Sequence, residues 1–301
     1  MGRKTHIPRI NQKGSRQYHD AVGNHEISQG ALPENANFTS VFGDTHYAYT
    51  AGAAQVVVTD NAHGSLLSSD PYQVPAQSQY PWLVDELTNT TSRAVIVITH
   101  MPAYDPHPVA NSQFGDRWEA QMYLRLVQKY QQSHPDKHVI MMYGHARGFA
   151  EQILDPQGNN VSEPVGGIPQ FTVADLGMPA YATSNEGGFE HFGLFHVTPS
   201  GDIQFSVEGV FTSIAVDAPQ SSLAVGGHET LTATGTQIAG DNFTPPTVPI
   251  ADPVSHAWSS DSPRVATVDA RTGALTAHRA GTVTITVTAG GITGKMLLTI
   301  K

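Results

Sequence analysis

Three segments of the chain end an apolar run with side chains able to ligate a metal: Ala21-Val-Gly-Asn-His-Glu26, Ile98-Thr-His-Met-Pro102 and Tyr143-Gly-His-Ala-Arg147. In open α/β sheets, ligands bind beyond the carboxyl ends of the strands, where side chains from separate loops converge. Gly23 and Gly144 permit tight turns that bring the next side chain back over a strand end. The sequence has no cysteine and 15 histidines. Thiolate catalysis, disulfides and cysteine-ligated zinc are thereby excluded, and any metal would be held by imidazole, amide and carboxylate groups. A single histidine after a strand is commonplace. Three such segments in this order form a much more specific pattern.

These residues need a sheet to carry them. Arg93-Ala-Val-Ile-Val-Ile-Thr-His100 and Lys137-His-Val-Ile-Met-Met-Tyr-Gly-His145 are continuous apolar runs, as expected of strands covered on both faces. Between them, Asp116–Ser133 spaces Trp118, Met122, Leu126 and Tyr130 four apart, predicting a helix with one apolar stripe. Asp116 followed by Glu119 has the spacing of a capping box and would open that helix. Pro81, Trp82, Leu83 and Leu87 predict a shorter helix before the first of these strands, and Gln55–Asp60 and Gln170–Ala174 predict further strands. Strand, helix, strand implies right-handed crossovers in a mainly parallel sheet. The composition then changes near residue 211. Residues 212–301 are rich in threonine, with period-two runs such as Thr282-Val-Thr-Ile-Thr-Val-Thr288. Similar runs at Ser213–Ala218, Glu229–Gly235, Val254–Ser259, Val265–Asp269 and Ile292–Ile300 predict a small antiparallel sandwich.

The first part resembles the calcineurin-like metallophosphoesterases, near the branch that includes the purple acid phosphatases. The resemblance rests on Gly23-Asn24-His25-Glu26, His100 and Gly144-His145-Ala146-Arg147, which match the third block, the fourth block and most of the fifth. Phe42-Gly-Asp-Thr-His-Tyr47 leading into Val56-Val-Val-Thr-Asp-Asn61 is similar to the strand pair that follows the third block. The resemblance implies that Asn24, His100 and His145 ligate one divalent metal ion and that His25 contacts the scissile phosphate and its leaving oxygen. In the family two ions flank the phosphate and acidify a bridging water. Apart from the resemblance, Arg147 reads either as a bidentate guanidinium grip on phosphate or as part of a surface turn, and His107 either as a substrate-binding rim residue or as solvated loop.

The departures from that family are equally specific. No Asp-x-His or Gly-Asp-x-x-Asp block precedes Asn24, and Arg147 stands where the family has another histidine. The recognisable ligands of the first metal and the bridging aspartate are therefore missing, so at most one ion is expected, whether zinc, manganese or iron. Asp44-Thr-His46 has the right spacing but the wrong place in the chain, and reads as an ordinary strand start. Asp105, Asp175 and His191 read as loop or rim residues, and His196 as an outward-facing sheet residue. The tail resembles the group 2 bacterial immunoglobulin-like (Ig-like, BIG2) domains, through Leu223-Ala-Val-Gly226, Leu231-Thr-Ala-Thr234, Trp258-Ser-Ser-Asp261, Val265-Ala-Thr-Val-Asp269, Thr272-Gly273 and Gly281-Thr-Val-Thr-Ile-Thr286. Trp258 reads as sandwich core.

The formal charge of −10 argues against nucleic-acid binding, which needs a basic face. No apolar run approaches the ~18 residues of a membrane span. The expected organisation is thus a basic, disordered head (1–19), a two-sheet αββα metallophosphoesterase-like domain that is N-terminally incomplete (20–211), and an all-β Ig-like domain (212–301). The expected function is metal-dependent phosphoric-ester hydrolysis, acting on a phosphorylated small-molecule or macromolecular substrate. The chain reads as a fragment of impaired activity from a secreted or cell-surface bacterial protein, with the Ig-like module as spacer or as a contact for cell surfaces or glycans. The alternative is a non-catalytic extracellular binding or scaffold protein on a decayed phosphoesterase fold.

Overall fold

The computed structural model describes residues 18–27, 35–67, 78–161, 167–173, 182–238 and 246–301. Asp175 and most of the basic head lie outside the described residues. The first domain contains, in chain order, α1 (Ala36–Phe42), β1 (Tyr47–Ala51), β2 (Ala54–Thr59), α2 (Tyr80–Asn89), β3 (Ala94–Thr99), α3 (Arg117–Ser133), β4 (His138–Tyr143), β5 (Ala150–Leu154), β6 (Ile168–Thr172), β7 (His191–Val197) and β8 (Ile203–Gly209). Six of these strands form one sheet in the order β1-β2-β3-β4-β6-β5, parallel from β2 through β4 to β6 and antiparallel at both edges. Among the described residues no helix is long and apolar enough to cross a membrane.

The register explains why the central strands are apolar on both faces. Val57, Val97 and Met141 pair in one row, and Val56, Ile96 and Ile140 in the next. Two successive right-handed crossovers in the same direction put both helices on one face of a sheet. Accordingly the Val57 row packs against Leu83 and Leu87 of α2 and Ala120, Tyr123, Leu124 and Val127 of α3. The Val56 row packs against the β7–β8 hairpin through Phe195, Val197, Ile203 and Phe205. Among the described residues the second layer is thus a two-stranded hairpin, in place of the second full sheet expected of an αββα sandwich.

Three local expectations need correction. The buried stripe of α3 is Ala120, Tyr123, Leu124, Val127 and Tyr130, and Trp118 is 80% exposed. Strict four-residue spacing drifts off a face of 3.6-residue period, and the core follows the i, i+3, i+4, i+7 set. The capping box is half formed. Asp116 accepts from the Trp118 and Glu119 amides, but Glu119 does not return to it. Its carboxylate, 3% exposed, instead accepts from Ser65 Oγ, the Leu66 and Leu67 amides and Tyr80 OH, tying the loop after β2 to both helices. Finally, Ala21–Gly23 is not a strand: residues 18–23 take no ladder pairing.

The tail comprises β9 (Ser213–Asp217), β10 (Ser222–Leu223), β11 (His228–Thr230), β12 (Thr232–Thr236), β13 (Thr247–Pro249), β14 (His256–Ser260), β15 (Ala266–Val268), β16 (Ala274–Ala277), β17 (Gly281–Ala289) and β18 (Ile292–Ile300). They form small sheets ordered β10-β18-β17-β14, β11-β16-β15 and β13-β12-β9 around Trp258, Ile285, Val287 and Leu298. This core does not stop at residue 212. It continues through Phe211 and Val207 to Phe189 and Phe149 of the first domain. Gly235 makes room for Phe211, since a Cβ there would lie 2.5 Å from its ring. Gln237, 1% exposed, closes the junction: its Oε1 accepts from the Glu190 amide (2.8 Å), and its Nε2 donates to the Glu190 and Val210 carbonyls (2.7 and 3.2 Å). Replacing Gln237 by Leu removes three buried hydrogen bonds at once and should lower stability by about 3 kcal/mol. Urea unfolding of the full chain checks this; a loss below about 1 kcal/mol would mean the junction does not depend on the amide.

Candidate metal centre

β3 and β4 pair in parallel with Thr99 opposite Tyr143, so the residues that follow them leave the sheet side by side. The Gly144 amide donates to the His100 carbonyl (3.0 Å), holding the two exits together. The segment 18–27 comes over this edge. Tyr47 OH donates to the Asp20 carbonyl (2.7 Å), the His19 ring stacks on Tyr49 (centroids 3.5 Å apart), and Val22 packs with Phe38, Ala62 and Ile27. A turn then closes through Glu26 N–H to the Gly23 carbonyl (3.1 Å) and Gly23 N–H to Glu26 Oε2 (2.9 Å). Only glycine fits at 23, because a Cβ would sit 2.7 Å from both Glu26 Oε2 and His100 Cε1.

The structure brings together the three residues expected to share a metal. His100 Nε2 lies 3.0 Å from Asn24 Oδ1 and 3.0 Å from His145 Nδ1. His145 Nε2 is 2.8 Å from the Asn111 carbonyl oxygen. A carbonyl only accepts, so His145 carries its proton on Nε2 and leaves Nδ1 bare; His100 Nε2–H is then the donor to both Nδ1 and Asn24. Burial, reinforced by the charges His145 and His25 can carry, pushes the His100 pKa down to about 3. His100 is therefore neutral across the physiological range. Asn111, His145 and Arg147 are the non-glycine residues with positive φ (62°, 66° and 52°) among those described, and all belong to this neighbourhood. Such backbone persists only where its surroundings over-determine it.

These donors are of the kind that hold a single ion. His100 Nε2 meets Asn24 Oδ1 and His145 Nδ1 at 3.0 Å as hydrogen bonds, slightly closer than the roughly 3.3–3.6 Å between ligands about 2.0–2.2 Å from a tetrahedral metal. His145 also has the backbone-carbonyl partner that ligating histidines characteristically use. Among the described residues, however, no group of three or more His, Asp or Glu side chains is placed to hold a metal. Among the described residues the donor set is two imidazoles and an amide, with no bridging carboxylate.

The other expected site residues are arranged around this point. His25 is exposed on the Asn24 turn. Arg147 is half-buried two residues beyond His145. His107 lines a small cleft with Asp105, Ala146, Phe149, Thr172 and Glu186, on the far side of the His145 turn. His46 packs edge-on against Trp82 of α2 (4.9 Å between centroids) and is no part of the centre. His191 is not a loop or rim residue: it opens β7, is buried, and donates through Nδ1 to the Phe189 carbonyl (2.8 Å), whereas His196 faces outward as read. Two positioning residues escaped the sequence reading. Asn61, fully buried, donates through Nδ2 to the Met101 carbonyl and accepts the Met101 amide on Oδ1, fastening the end of β2 beside His100. Asn61 has the same signature as the predicted ligands, a polar residue just past an apolar run, and could have been found by it. Asn111 left no such signal.

Residues 210–300 match the bacterial Ig-like domain (group 2) family, so the tail is a domain of that family. No curated protein matches the chain.

Burial lowers the pKa of His46, His100 and His191 alike. The unfolded chain binds protons at these positions from about pH 6.5 downward, whereas the native state resists them. Stability should therefore fall as pH drops below about 6.5. Urea midpoints at neutral and mildly acidic pH measure this, and His191→Gln should flatten part of the slope. A midpoint that rises on acidification would contradict the assignment.

Proposed function

We propose that the first domain holds one divalent transition-metal ion at Asn24, His100 and His145 and uses it to bind phosphate esters, as the resemblance to calcineurin-like metallophosphoesterases implies. The observation that supports this reading is the meeting of Asn24 Oδ1 and His145 Nδ1 on His100 Nε2, each at 3.0 Å, with the outer nitrogen of His145 tied to a backbone carbonyl. Neutral ligands leave the full charge of a bound ion available to a phosphate oxygen, and that attraction is the chemistry it would supply. His25, exposed on the Asn24 turn, can donate a hydrogen bond to the leaving oxygen. Arg147 can grip a phosphate bidentately, and His107 and its cleft can take the ester's organic group. None of these residues holds a water in line with the ester or takes its proton. Positioning and acidification of the nucleophile supply most of the rate in two-metal hydrolysis, so turnover by this chain is slow.

The three neutral donors equally support a second reading, in which the domain is a non-catalytic, extracellular metal- or phosphate-binding module. In either case the Ig-like domain is compatible with a protein that is secreted or displayed on a bacterial surface, where it would act as a spacer or contact cell surfaces or glycans.

Calorimetric titration of the metal-stripped chain with zinc chloride should give one ion per chain with micromolar or weaker affinity, abolished in His100→Ala. Hydrolysis of p-nitrophenyl phosphate should be slow or undetectable. Two tightly held ions, or rapid turnover that collapses in His25→Ala, would overturn the single-site reading. Absence of any zinc binding would overturn both metal readings.

A further inference from the structure

We infer that Asn111 is a positioning residue of the centre: its backbone carbonyl fixes the tautomer of His145 and so directs the Nδ1 lone pair at the point shared with His100 and Asn24. The inference rests on the metal-binding reading above. A neutral imidazole free in water has two tautomers, and only one of them presents Nδ1 as a ligand. The carbonyl at 2.8 Å selects that one, because it accepts a proton from Nε2 and can do nothing else. The inner partner agrees in sense, since a bare Nδ1 is what His100 Nε2–H can donate to at 3.0 Å.

The carbonyl is itself aimed by the surrounding loop. Ser112, almost fully buried, closes a tight turn with Val109: its hydroxyl accepts the Val109 amide (3.0 Å), and its amide is 3.2 Å from the Val109 carbonyl. The Phe114 amide donates to the Pro102 carbonyl, and the Asp105 amide donates to Gln113 Oε1. Arg117 then clamps both ends of the loop, donating to the Phe114 and Ala103 carbonyls while its guanidinium stacks on Tyr104 (4.1 Å). With its neighbours so held, Asn111 takes φ 62°, a left-handed conformation that asparagine tolerates and β-branched residues resist. The side chain at 111 therefore matters through the backbone it permits. Glycine should serve as well, and valine should turn the carbonyl away.

The full-length chain, metal-free and labelled with nitrogen-15, is compared as wild type, Asn111→Gly, Asn111→Val and the milder Asn111→Ala, at about pH 8, above the imidazole titration range. Long-range nitrogen–proton spectra report the tautomer of His145 directly. Wild type and Asn111→Gly should show the Nε2–H form. Asn111→Val should show mixed tautomers and bind zinc at least about tenfold more weakly, with Asn111→Ala shifted in the same direction. An Nδ1–H form in the wild type overturns the inference without any metal present. So does a folded Asn111→Val or Asn111→Ala that keeps both tautomer and affinity, or an Asn111→Gly that loses as much as they do. A wild type with the Nε2–H form that binds no zinc overturns the metal-binding reading instead, so the two failures are told apart.

Discussion

The parallel, in-register pairing of β3 with β4 is the constraint on which the centre depends. His100 and His145 follow partnered residues, Thr99 and Tyr143, and each leaves the sheet where the other does. A slip of one residue would exchange the two faces of β4, sending Met141 away from the helices and His145 away from His100. The rows Val57–Val97–Met141 and Val56–Ile96–Ile140 oppose that slip with apolar contacts on both sides of the sheet. The geometry of two polar nitrogens thus follows from where a dozen aliphatic side chains pack.

Polar groups beneath the centre refine what the aliphatic rows set. The Thr59 and Thr99 hydroxyls meet at 2.7 Å, and Thr99 meets Tyr123 OH at 2.6 Å, a buried chain joining the ends of β2 and β3 to α3. Asn61 and Glu119 do the same work for the loops. All are satisfied by several partners, and a buried polar network is rigid only when fully satisfied. The strain at Asn111, His145 and Arg147 is sustained by this frame.

Much of the sheet was legible in the sequence, because β3 and β4 carry continuous apolar runs, β2 is a short run of valines, and Asp116 marks the start of α3 between them. The meeting of Asn24, His100 and His145 was legible because each follows an apolar run or a glycine turn. What was hidden depends on contacts between distant segments. Glu119 has the spacing of a local cap, yet a loop more than fifty residues away claims its carboxylate. Asn111 acts through its backbone, so its residue type says only that a left-handed conformation is affordable. The expectation of a second full sheet came from the resemblance alone, and among the described residues that layer is the β7–β8 hairpin. In the tail, β17 and β18 stood out as long alternations, whereas β10, β13 and β16 are too short to show a period.

The junction between the domains changes how the Ig-like domain can act. Only Val210, Phe211 and Thr212 separate β8 from β9, and they are not a free linker: the Val210 amide donates to the Glu190 carbonyl, and the Thr212 amide to that of Thr236. The Ser255 amide reaches back to the Val207 carbonyl (2.8 Å), and Phe211 is buried between the two cores. Domains in one chain move independently unless their interface is extensive and apolar, and here the apolar core is continuous. Phe149 belongs to it, two residues beyond Arg147, stacked parallel to Phe205 and edge-on to His191. The turn that carries His145 is therefore anchored on one side by the β-sheet and on the other by a core shared with the Ig-like domain. An Ig-like domain joined in this way holds a fixed orientation relative to the His145 turn, and it cannot be removed without exposing the apolar footing of that turn.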